Sequence, residues 1–181
     1  RGAIEAYEEA ISIYQESQDF TAVATTLERV IEISLNLDDA GKAYQILQRV
    51  TLSYLSIEDA TTRIAAVYSL ERLYRYLDKD LEYADILLRD AEMHAENGDS
   101  SFQILSLYSA SSILLEVGEY ERARYSSKQA LALSENLEFS LVFRSSTNDT
   151  QLEPNLKSEI LIQLATASVR LGELDQALEY A

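Results

Sequence analysis

The sequence has no cysteine, no tryptophan, one methionine, one histidine, one proline and only five glycines in 181 residues. Without cysteine, disulfides and thiolate metal sites are excluded, and an intracellular location, in cytoplasm or nucleus, is the compatible expectation. One histidine, His94, cannot assemble a typical zinc site alone, so no metal and no cofactor is expected. The shortage of Gly and Pro removes the residues that most often interrupt helices. Basic side chains are in the minority, 15 against 31 acidic, for a net charge of -16. That opposes direct nucleic-acid binding and anionic membranes, which both need a basic face. No apolar run reaches the roughly 18 residues of a membrane span. No Gly-rich phosphate loop occurs. No signal-peptide pattern opens the chain. It starts at Arg1 and stops at Ala181 inside helical patterns, which reads as a piece excised from a longer protein.

What is present is a helical pattern that repeats. Hydrophobic residues make up 47% of the chain, which excludes a disordered composition. The clearest stretch is residues 100–137. Leu107, Ala110, Leu114 and Val117 draw one apolar stripe; Tyr120, Ala123, Ala130, Leu133 and Leu137 draw a second. Gly118 lies between them as a left-handed helix stop. So short a link predicts an antiparallel hairpin. Ala3, Ala43, Ala84, Ala123 and Ala177 mark the same place in five second helices, at spacings of 40, 41, 39 and 54 residues. Three near-equal spacings predict a repeat architecture.

Read in order, residues 1–16 are the second helix of a truncated unit, and Ser17, Gln18 and Asp19 make a turn. A helix follows over 20–37, with the stripe Phe20, Val23, Leu27, Val30, Ser34 and Leu37. Asp38 and Asp39 predict a cap for the next helix, to about Leu55. Ser56 and Asp59 start another, to about Leu77. Asp78 is expected to cap the helix 80–96, which Gly98 ends. Ser100 with Gln103 reads as a capping box. After Leu137 the pattern lapses: residues 139–153 read as a loop around Ser145, Ser146, Thr147, Asn148, Asp149 and Thr150. Asn148 to Thr150 matches a glycosylation acceptor, and the hydroxyls after Arg144 match phosphorylation candidates. Pro154 is placed near the first turn of a helix with the stripe Leu161, Leu164, Ala165, Ser168 and Leu171. The expected units are 1–19 (partial), 20–57, 58–98, 99–154 and 155–181 (partial).

The stretches LEVGEYERARYSSKQALAL and VRLGELDQALEYA resemble the tetratricopeptide repeat family, through the Gly118–Glu121 hinge and the Ala123/Ala130 pair. The spacing near 40 departs from the family's usual length of about 34 residues, so the helices read as about a turn longer. The family's Trp-Leu-Gly signature and closing Pro are missing, with Leu107, Ala110 and Ser111 in the first places and Glu135 in the last. The resemblance implies an all-α fold, a right-handed α-solenoid of antiparallel hairpins with about nine helices. It also implies a concave face of first helices that takes a protein or peptide partner. Carried over residue by residue, that face offers Glu28 and Glu32, then Tyr68, Arg72, Arg75 and Tyr76. Further along come Tyr108, Ser112 and Leu115, and finally Ile162, Thr166 and Arg170. The family's chaperone-tail binders clamp a carboxylate with Lys and Asn. Here Glu28, Glu32, Tyr108 and Ser112 stand in those places, which argues against that activity.

Arg63, Arg72 and Arg75 with Tyr68 and Tyr76 suggest a basic spot for an acidic segment. The plainer reading is a solvated face with pairs such as Glu71–Arg75. His94 is placed in a helix C-terminal turn. The acidic pairs Glu8–Glu9, Asp38–Asp39 and Glu58–Asp59 read as caps or exposed faces, and Ser111 and Ser127 as small stripe residues with no base nearby. The expectation is therefore a non-enzymatic interaction scaffold within a larger complex, its partner basic or amphipathic and helical. The alternative is a regulatory sensor module for a catalytic or DNA-binding domain outside these residues.

Overall fold

The computed structural model describes residues 2–37, 39–135 and 156–180. Among them the fold is all-α, with no strand. The chain divides into two compact units, Arg1–Lys79 and Asp80–Ala181. The first holds α1 (Gly2–Glu16), α2 (Phe20–Asn36), α3 (Ala40–Leu55), α4 (Ala60–Tyr68) and α5 (Glu71–Tyr76). The second holds α6 (Asp80–Asn97), α7 (Ser100–Glu116), α8 (Tyr120–Glu135), α9 (Leu156–Arg170) and α10 (Leu174–Tyr180). Counting α4 and α5 as one interrupted helix, the described residues form nine helices. Asp38, Leu137, the loop at 139–153 with its Ser145–Thr150 cluster, and Pro154 lie outside the described residues.

Within each unit the helices pack in chain order, α1 on α2 on α3 on α4, and α6 on α7 on α8 on α9 on α10. Next-but-one helices meet as well, α7 with α9, and α2 with α5. The core of the first unit is built from Val23, Leu27, Val30 and Ile31 of α2, Leu47 and Tyr54 of α3, and Val67, Leu70 and Leu73 further on, all buried. The Phe20 and Tyr54 rings meet edge to face at 5.2 Å. In the second unit Ala91, Ile104, Leu107, Ala130, Ile160 and Leu164 cluster. Because α7 packs on α6, α8 and α9, it buries Ile104, Ser106 and Ile113 in addition to its expected stripe. Leu37 and Val117, expected to close their stripes, are instead exposed at the helix ends.

Five of the helix ends share one device. At Gln18, Asp78, Gly98, Gly118 and Gly172 the backbone turns left-handed, with φ of 57°, 54°, 75°, 85° and 81°. Each of these N–H groups donates to the carbonyl three residues back. The following N–H reaches five back, as in Glu119 N–H to Leu114 O at 2.8 Å and Lys79 N–H to Tyr74 O at 2.9 Å. The paired bonds satisfy carbonyls that the ending helix leaves open. Asp78 thus ends α5 in the role expected of glycine, rather than capping α6. Asp19, Asp39 and Asp59 do cap, accepting from the N–H groups of Ala22, Lys42 and Thr62.

Two local expectations change. The capping box at Ser100 and Gln103 does not form; Asp99 is the N-cap of α7 and makes no side-chain cap bond. The helix expected over 59–77 is interrupted at Ser69 and Leu70. The Ser69 hydroxyl donates to Ala66 O at 2.6 Å, and Leu70 N–H donates to Val67 O at 3.1 Å. A serine that bonds its own preceding turn tightens the helix locally. Leu70 stays fully buried, so the apolar stripe runs through the interruption.

Candidate functional site

Glu28, Glu32, Arg72, Arg75 and Tyr76 line one cleft of about 410 Å³ in the first unit. They are five of the twelve residues that the sequence offers as contacts. The cleft lies where α2 meets α5. Glu28 and Glu32 are one turn apart on α2; Arg72, Arg75 and Tyr76 share a face of α5.

Its charges are already paired. Arg72 donates to Glu28 across the cleft, Arg29 to Glu32 at 2.8 Å, and Arg75 to Glu71 at 3.3 Å. The solvated-face pair Glu71–Arg75 is therefore present. Arg63 does not join a basic spot with Arg72 and Arg75. It is 1% exposed, and its guanidinium donates to Ile57 O at 2.8 Å, tying the α3–α4 link to α4. Arg72 and Arg75 remain exposed, and Tyr76 is 59% exposed at the rim. A partner entering here meets bidentate donors, carboxylates and an aromatic face rather than a field of one sign. Tyr68 is half-buried on α4.

The second unit uses the matching positions differently. Tyr108 donates to Glu159, and Ser112 Oγ accepts from Gln163 Nε2 at 2.6 Å, so both are turned to α9 instead of lying free. Burial, with the bond to Glu159 and its charge, pushes the Tyr108 hydroxyl up to about 12, so it stays a donor. Gln163, 7% exposed, also accepts from Ser127 Oγ at 3.0 Å and donates to Tyr108 O at 3.2 Å. Ser127 in turn shares a bond of 2.6 Å with Ser111. This network fastens α7, α8 and α9. Of the α9 stripe expected at Leu161, Leu164, Ala165, Ser168 and Leu171, Leu164 and Ser168 are buried. The buried face otherwise runs through Ile160, Gln163 and Ala167 rather than Leu161 and Ala165, which brings Gln163 inside. Thr166 and Arg170 are exposed on α9, and Thr166 bonds only its own helix among the described contacts.

One more polar group lies inside the second unit. His94, in the last turn of α6 as expected, is fully buried. Its Nε2 is 3.2 Å from Asp90 Oδ2, and the Ser106 hydroxyl donates to that same oxygen at 2.7 Å. Serine bonded to the carboxylate, and not to the imidazole, is not an activated nucleophile. Among the described residues no group of three or more His, Cys, Asp or Glu side chains could hold a metal ion, and no helix is long and apolar enough to cross a membrane.

No family model and no curated protein matches the chain. Among solved structures, the crystal structure of BtubC (BKLC) from P. vanneervenii is similar over 99% of this chain and 88% of that one, at 15% identity and a TM-score of 0.43. A likeness that distant carries no argument about function.

Proposed function

We propose that this chain is a non-enzymatic helical-repeat scaffold. It binds a peptide segment or a neighbouring subunit on its first-helix face within a larger assembly. The observation that carries the reading is the gathering of Glu28, Glu32, Arg72, Arg75 and Tyr76 around one open cleft. In-order packing with next-but-one contacts within each unit supports a stack of hairpins, the arrangement that presents such a face. The partner is protein and not nucleic acid, given the net charge of -16. The working location is intracellular.

The test is affinity capture with the wild type and with Arg75→Ala/Tyr76→Ala, both checked for unchanged helicity. Loss of the same partner from the double variant supports the cleft, and equal recovery removes it. A salt titration of the captured complex reads the electrostatic share, which weakens as ions screen the pairs.

A further inference from the structure

A cleft of the second unit lies elsewhere, between α6 and α8. A space of about 670 Å³ opens between α6 and α8 over α7, lined by Leu88, Ala91, Glu92, Ala95, Leu107 and Tyr125 among others. Its floor is apolar and low, since Ala91 and Leu107 are buried and Ala95 projects little above the helix. Its rim carries Glu92 and Glu121, both exposed, with Glu121 held by Arg124 at 2.6 Å, and Tyr125 at 66% exposure. The rim cation Arg122 is already engaged by Asp85 of α6. The equivalent cleft of the first unit, between α1 and α3, is crossed by an ion pair from Arg49 to Glu8. In the second unit the crossing pair sits at one end, toward the start of both helices, and the middle stays open.

We infer that the α6–α8 cleft is a docking site for a basic amphipathic helix. Three observations select this occupant. The walls are helices whose backbone groups bond internally, so an entering segment must satisfy its own backbone, which a helix does and an extended strand does not. A floor of alanine and leucine takes branched apolar side chains at one-turn spacing. Glu92 then faces one flank of that stripe, where lysine or arginine is complementary, while Glu121 shares its charge with Arg124. Tyr125 closes one side as a rigid amphipathic contact. This site is separate from the α2–α5 cleft and does not depend on it.

The test uses the full chain and a fluorescein-labelled amphipathic helix of Leu, Ala and Lys with a single leucine stripe. Two control peptides accompany it, one with Glu for every Lys and one broken by a central Pro. Saturable anisotropy with the lysine helix alone is the expected result. Ala95→Trp, an exposed-position change that fills the cleft, should weaken it at least about tenfold, and Glu92→Arg/Glu121→Arg should do the same while far-UV circular dichroism stays unchanged. Affinity unaltered by both variants overturns the assignment, and so does equal binding of the proline-broken peptide. A loss on Tyr76→Ala as large as on Ala95→Trp would place the peptide in the other cleft and also overturn it.

Discussion

Gln163→Ala should be among the most damaging single changes in the second unit. The wild-type amide holds Ser127, Ser112 and the Tyr108 carbonyl, at 3.0, 2.6 and 3.2 Å. Each buried bond contributes about 1 kcal/mol net. Truncation also removes one buried methylene, worth about 0.8 kcal/mol. The expected loss is thus about 3–5 kcal/mol. Gln163→Leu restores the apolar volume and isolates the polar share, so its loss should be smaller, about 1–3 kcal/mol. Ser127 keeps Ser111 as a partner in both variants, which sets the lower end. The assay is urea unfolding by circular dichroism, with hydrogen exchange on α9 peptides to see whether α9 opens first. A Gln163→Leu protein as stable as wild type, with α9 equally protected, would refute a net stabilising role for the network.

Two tyrosines of the first unit should part company. Tyr54 is buried with no bonding partner for its hydroxyl, and burial with the Asp19 charge raises its pKa, so Tyr54→Phe should leave stability unchanged or raise it by up to about 1 kcal/mol. Tyr74→Phe loses the 2.8 Å bond to Thr51 and should cost about 1 kcal/mol; equal effects in thermal unfolding would contradict this. At the helix ends, Asp78→Gly should gain about 0.5–1 kcal/mol, and Gly118→Ala should lose about 1–2 kcal/mol, because only glycine enters the left-handed region without steric cost. An added methyl at Gly118 meets only Tyr120, at ordinary contact distance, so the cost is all backbone. Burial, with Asp85 nearby, raises the pKa of Glu82, so the folded chain binds its proton more readily than the unfolded chain. Its charge therefore opposes folding at neutral pH and is relieved as pH falls through the raised value. Glu82→Gln should stabilise at pH 7 by a margin that shrinks on acidification, and a margin that grows would reverse the assignment. Arg63→Ala should cost about 2–4 kcal/mol by orphaning the Ile57 carbonyl and emptying a buried site, read in the same denaturation assay.

Helix content and most turns were legible in the sequence because they rest on local physics. Gly98 and Gly118 announce their left-handed stops, Asp39 announces a cap and Asp59 a helix start, while the cap made by Asp19 reads from sequence only as a turn. Gln18 and Asp78 perform the same stop with side chains that do not advertise it. The interruption at Ser69 was hidden because serine there is compatible with helix until its hydroxyl is seen to turn back. Arg63 was assigned to the surface because charged residues rarely lie fully inside, and nothing local shows that the α3–α4 link aims carbonyls at it. Gln163 was passed over for a similar reason: an amide beside an apolar stripe reads as its wet edge until neighbouring helices supply three partners. Residues of the α2–α5 cleft could be carried over from the family resemblance. The α6–α8 cleft could not, because its openness depends on where a crossing ion pair happens to fall.

The shared left-handed stops have a consequence for how such a chain can vary. Each reversal is completed by main-chain groups within six positions, whatever side chain occupies the pivot. Direction is thereby decoupled from span: a helix can gain or shed a whole turn, and the next one still sets off backwards. Segments longer than the common repeat length can accumulate by such insertions without any redesign of the corners.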